Sequence, residues 1–145
     1  MIEINDQGRQ VNEAEVALLE QDFGKKIPEN YRKFLLLKNG GLPSPDTVDV
    51  AGLPGSPTDV QVFFGIGRRV HSSDISWNLR LVHDRFPELK ILPIACDSGG
   101  NLFCLRALKN EDFDIQYCDM EDNGRLYLVA SDFEEFLNKI RPWEH

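Results

Sequence analysis

The sequence predicts an α+β fold: a single domain spanning residues 1–145, with an antiparallel sheet of about five to six strands and about four helices packed around it. Three observations support this. Capped amphipathic segments stand near both ends of the chain, at residues 12–23, 28–38 and 131–140. Between residues 89 and 130, four apolar, strand-like runs are separated by turn residues, which reads as a meander. A hydrophobic content of 41%, with nine phenylalanines among 145 residues, is enough for one core. A chain of this size buries roughly 68–70% of its unfolded surface, so it needs neither metal nor disulfide to fold.

The elements follow in order. Asn12-Glu13-Ala14-Glu15 resembles a capping box and starts a helix over 13–23 that buries Val16, Leu19 and Phe23. Pro28 suits the first position of a second helix, in which Tyr31, Phe34, Leu35 and Lys38 recur at helical spacing. Lys38-Asn39-Gly40-Gly41 ends it, because Asn and Gly accept the left-handed backbone of a helix stop. The prolyl stretch Leu42 to Pro57 reads as a loop with one edge strand at Val48-Asp49-Val50. Val60 to Phe64 alternates and is β-branched and aromatic, so it reads as a strand. Ser73 is placed to cap a third helix through Ile75, Leu79, Val82 and Phe86, which Pro87 stops. Strands are predicted over 89–96, 101–108, 113–118 and 126–130, with a turn at Asp97 to Gly100 and a hairpin at Asn123-Gly124. Ser131-Asp132-Phe133-Glu134 reads as a capping box for a last helix through Phe133, Phe136, Leu137 and Ile140.

Composition narrows the function. The net charge of −8 disfavours nucleic acid and anionic membrane, whose surfaces attract Lys and Arg. No apolar run approaches a membrane span, and Met1 to Asp6 is acidic and polar where a secretory leader is basic and then apolar. The expected location is therefore the cytoplasm. Cys96, Cys104 and Cys118 form an odd set without a C-x-x-C pair, so they read as buried thiols and not as a zinc site or disulfide framework.

Several patterns resemble chemical sites. Asp119-x-Glu121-x-Asn123-Gly124 begins like a calcium loop, but its twelfth position is Ala130 where a bidentate glutamate is needed, so a hairpin turn is preferred and no metal is expected. Gly65-Ile66-Gly67 lacks the third glycine and the helix of a dinucleotide fingerprint, so no cofactor is expected. Arg68 and Arg69 form an isolated basic spot suited to weak anion binding or simple solvation. His71, His83 and His145 form no i,i+4 pair. Asp97 has two readings, a general base or a turn aspartate bonded to its own backbone, and the second is the simpler. No catalytic residue is assigned. The acidic run Glu111, Asp112, Asp114, Asp119, Glu121 and Asp122 falls on turns and strand ends and is expected to share one rim of the sheet. Such a rim steers a cationic partner. Asp46, Asp49 and Asp59 complete the candidate contact set from the prolyl segment.

Three motifs in order carry a family resemblance: Pro28, Tyr31 and Phe34 with Asn39, Gly40 and Gly41; Pro93, Asp97, Gly99, Gly100 and Asn101; and Ser131 with Phe133, Phe136 and Leu137. Together they resemble the SUKH superfamily in its Smi/Knr-type branch, over about residues 12 to 140. One position departs from it: an aromatic residue commonly precedes the aspartate matching Asp119, and here Cys118 stands there. The resemblance implies a non-catalytic α+β domain that in bacteria commonly serves as an immunity protein. Such a protein neutralises a toxin domain, often a nuclease. The expected partner is then a protein toxin with a basic surface bound by occlusion, the chain being a monomer or weak homodimer. The alternative is a regulatory or scaffold module that binds another cellular protein.

Overall fold

A computed structural model describes residues 2–144. The chain order is β1 (Glu3–Asn5), α1 (Glu13–Phe23), α2 (Glu29–Leu37), β2 (Leu42–Ser44), β3 (Thr47–Val48), β4 (Thr58–Asp59), β5 (Val62–Phe63), α3 (Ile75–Arg85), β6 (Ile91–Cys96), β7 (Leu102–Ala107), β8 (Phe113–Asp119), β9 (Arg125–Ala130) and α4 (Phe133–Lys139). Strands β5 to β9 form one antiparallel sheet in sequence order, while β1–β2 and β3–β4 form two small ribbons. The α+β class, the four helices and the meander are as the sequence predicts.

Local differences have local causes. Asn12 and Glu15 form the expected reciprocal capping box. Pro28 is the extended residue just before α2 and not its first helical residue, since its ψ of 149° lies outside the helix. Asp74, and not Ser73, caps α3 by accepting from the Trp77 amide, because its carboxylate also reaches the Gly67 and Arg68 amides. The last capping box shifts by one residue: Asp132 caps α4, and Glu135 reaches back to the Ser131 amide and hydroxyl. The prolyl segment contributes two strands instead of one, because β2 pairs with the N-terminal residues 3–5, which carry no alternating pattern of their own. The strand expected over 60–64 shortens to β5, which joins the main sheet, and β4 just before it pairs with β3. Asn123 and Gly124 both adopt positive φ, but they close a five-residue turn between the paired Asp119 and Arg125.

The core explains why the motifs are aromatic. Tyr31 and Phe34 of α2 meet Phe133 of α4 at ring centroid distances of 5.1 Å each, and Phe34 meets Phe63 of β5 at 5.2 Å. Phe136 of α4 then packs on Phe103 of β7 at 5.2 Å. These rings are nearly or fully buried, and such pairs add about 0.5–1.5 kcal/mol each beyond the burial itself. Two helices from opposite ends of the sequence are thereby fixed to each other and to the sheet.

Candidate partner-binding surface

Two polar clamps hold the surface loops in place. Asp97 lies between β6 and β7 and is 4% exposed. One of its carboxylate oxygens accepts from the amides of Gly99 at 3.0 Å and Asn101 at 2.9 Å. The other accepts from the Thr58 hydroxyl at 2.9 Å and the Tyr117 hydroxyl at 2.6 Å. The turn reading of Asp97 is therefore the observed one, extended by two partners that sequence spacing could not reveal. Burial and the nearby carboxylate both push the Tyr117 phenol well above its ordinary pKa. Next to this clamp, Asp59 accepts from the amide and hydroxyl of Ser98, tying β4 to the same turn. Asn101 completes the joint by accepting from the Met120 amide.

The second clamp is Asn39, 1% exposed, at the end of α2. Its amide group donates to the carbonyls of Arg9 and Ile66 and its carbonyl accepts from the Ile66 amide at 2.7 Å. Gly40 has a φ of +83°, and a Cβ there would meet the Phe63 and Phe64 carbonyl oxygens at 2.6 and 2.7 Å. Gly41 exchanges two backbone hydrogen bonds with Phe63. Asn39, Gly40 and Gly41 thus join the N-terminal segment, α2 and β5. Pro93, by contrast, is a buried member of β6.

The acidic positions do not share one rim. Asp112 precedes β8, while Asp119 ends it and Glu121 and Asp122 follow, so the length of the strand holds the two groups about 20 Å apart. Asp114 leaves the contact set altogether: it is 6% exposed and forms a two-point pair with Arg106 at 3.0 and 2.6 Å. Its position inside β8, opposite Arg106 of β7, imposes that pairing. Asp119 accepts from the Glu121 amide as a turn aspartate. Asp59 belongs to the Ser98 clamp, and Asp49 forms a two-point pair with Arg141 at 2.9 Å on both contacts, which holds its carboxyl below the usual carboxylate range. Asp46, Asp112 and Glu121 are exposed, and Asp122 has only a loose partner, Arg125 at 4.0 Å.

The other candidates resolve in the same way. Residues 125–130, which a calcium loop would need for its second half, are strand β9. His71 and His83 are exposed and lie on different elements, while His145 falls outside the described residues. Cys104 and Cys118 are buried and Cys96 is half-buried; burial pushes Cys96 up to about 11. Among the described residues, no helix is long and apolar enough to cross a membrane.

The model of the SMI1 / KNR4 family (SUKH-1) matches residues 10–139. The chain belongs to the SMI1/KNR4 family. No curated protein matches it. The SMI1/KNR4 segment takes in every residue of the two clamps except Arg9, together with the aromatic core that joins α2 to α4. Within this SMI1/KNR4 domain, Asn39, Gly41, Asp97 and Asn101 have polar groups or backbone bonded to other parts of the same chain, and Gly40 lies against the Phe63 and Phe64 carbonyls.

Proposed function

We propose that this SMI1/KNR4 domain is a non-catalytic, cytoplasmic protein-binding module of the immunity type, which neutralises a toxin by covering its active surface. The observation that carries the reading is the contrast between committed and uncommitted carboxylates. Asp97, Asp114, Asp59 and Asp49 are occupied by the fold, which argues against a free general base, whereas Asp46, Asp112, Glu121 and Asp122 face solvent. Exposed carboxylates suit a partner whose own surface is built to hold phosphate, because a polyanionic face competes for the same cations. A nuclease toxin fits that description.

The test is a pull-down with the product of the neighbouring gene, followed by salt-dependent binding to the wild-type chain and to a variant carrying Asp112→Lys, Glu121→Lys and Asp122→Lys. The expected result is weaker binding in the variant and a shallower salt dependence. Unchanged affinity and unchanged salt dependence would remove these residues from the contact, and a neighbouring product without toxic activity would favour the regulatory alternative.

A further inference from the structure

The five-stranded sheet ends differently on its two sides. At β5 the chain itself closes the edge, because Phe63 exchanges two backbone hydrogen bonds with Gly41. On the opposite side β9, six residues long, has β8 as its one strand neighbour among the described residues. Alternate residues of such an edge turn their backbone N–H and C=O groups outward, where they bond to water or to another strand. The fold covers the C-terminal end of this edge. There the register with β8 shifts, Val129 is the extra residue, and the Lys139 ammonium donates to the Val129 carbonyl at 2.7 Å. Arg125 to Leu128 keep a regular register. A groove of about 510 Å3, lined by Asp49, Val50, Leu128, Glu135 and Lys139 among others, runs beside the strand, so the neighbouring segments leave space along the edge and do not fill it.

Charge decides what this edge accepts. Leu126 and Leu128 share one face of β9, and Leu128 is 58% exposed, so the middle of the edge is apolar. Both of its ends are acidic. Asp119, Glu121 and Asp122 stand with Arg125 at the start, and Asp132, Glu134 and Glu135 with Lys139 follow the finish, three acids against one base each time. A second copy pairing edge to edge sets acidic end against acidic end in either strand direction, so the chain repels its own copy there. A segment with Lys or Arg at both ends and apolar residues between them is attracted at both. We propose that β9 binds such a segment of a protein partner as an added strand, its backbone paired with Arg125 to Leu128, its apolar side chains on Leu126 and Leu128, and its cations at the two acidic ends. The six residues of β9 span about 20 Å, which sets the cations about six residues apart. Main-chain pairing supplies the affinity, and the charges at the two ends fix the register. This rests on reading the domain as a module for a partner with a basic surface, but not on that partner being a toxin.

The test uses the full chain, isotope-labelled, with amide chemical shifts followed during titration to about 5 mM, enough to detect millimolar affinity. The probes are a capped Lys-Thr-Val-Thr-Val-Thr-Lys peptide, its Glu-for-Lys counterpart, and a third peptide that keeps both lysines but has proline at the three central positions, where it cannot donate to a ladder. The expected result is shifts at Leu126, Tyr127 and Leu128 with the first peptide, smaller by about tenfold with the other two and lost in L128K. Because Leu128 is exposed, L128K should unfold close to the wild-type temperature, which separates lost binding from lost folding. No shifts, shifts confined to other strands, or equal shifts with the acidic peptide would overturn the proposal. Equal shifts with the prolyl peptide would overturn strand addition, since charge alone would then suffice. Shifts of β9 that grow with the concentration of the free chain would assign the edge to a second copy and overturn the proposal as well. Peptide binding by a chain that neutralises no toxin would sustain the edge and overturn only the immunity reading. A toxin neutralised equally by the wild type and by L128K would sustain the immunity reading and overturn the edge as its contact.

Discussion

Replacing Asp97 separates acceptor geometry from charge. In Asp97→Ala, four hydrogen bonds to a carboxylate are lost, each worth about 1.5–3 kcal/mol in isolation. They do not sum. Gly99 is exposed and Thr58 half-buried, so those donors can turn to water, whereas Tyr117 is 2% exposed and its hydroxyl is left buried at a cost of about 1–3 kcal/mol. The expected loss is about 3–5 kcal/mol, a large share of the roughly 5–15 kcal/mol that holds a domain together. Asp97→Asn behaves differently. Its carbonyl oxygen can keep the Gly99 and Asn101 amides while its NH2 group faces the two hydroxyls, which can rotate to accept. All four bonds survive as neutral ones, roughly half as strong, and a buried charge is removed, so the expected cost is about 1–2 kcal/mol.

Urea unfolding at neutral pH measures both, with an unchanged m-value as the check that only stability has moved. The corresponding losses in Tm are about 10 °C for the alanine variant and about 3–6 °C for the asparagine variant. A loss below about 1 kcal/mol in Asp97→Ala would show that Gly99 and Gly100 hold the turn unaided. Equal losses in the two variants would show that charge, and not acceptor placement, is what the site requires.

Four further outcomes are expected. Gly40→Ala should prevent folding or cost more than about 4 kcal/mol, since its Cβ would meet two carbonyl oxygens, whereas Gly24→Ala, with φ +88° and open space around it, should cost only about 1 kcal/mol; thermal melts compare them. Tyr31→Phe should be neutral or stabilising by up to about 1 kcal/mol, because the Tyr31 hydroxyl is fully buried without a partner; clear destabilisation in urea would reveal a partner for it. Cys96, with its pKa pushed up to about 11, should react with a thiol reagent at pH 8 about a hundredfold more slowly than an ordinary thiol and about tenfold faster per pH unit up to pH 10, while buried Cys104 and Cys118 stay unmodified in the native state; absorbance of the released reporter follows this. The depressed Asp49 carboxyl contributes stability above the ordinary aspartate pKa of about 3.9, and this is lost as pH falls through its lower folded value, so Asp49→Asn should flatten the acid limb of a stability–pH curve below about pH 4.

The sheet meander and helices were legible because each carries its own period: 3.6 for Phe133, Phe136 and Ile140, and 2 along β8. The short strands were not, since β1 and β2 have only three residues each and exist through their mutual pairing, which no local pattern encodes. Capping residues were misplaced by one at Ser73 and Ser131 for a related reason. Adjacent Ser and Asp offer equivalent oxygens, and only the wider hydrogen-bond set selects Asp74 and Asp132.

The same distinction governs the surface. A charge run such as Asp112 to Asp122 is visible in one dimension, but a seven-residue strand through its middle carries the two halves apart, and that strand is covered on both faces, which buries Asp114. The placement of Arg9 beside Arg68 is the converse case. Arg9 and Arg68 lie about sixty residues apart and become neighbours only because Asn39 bonds the carbonyls of Arg9 and Ile66 with one amide group. A residue that looked like a helix stop therefore also sets where these two side chains stand.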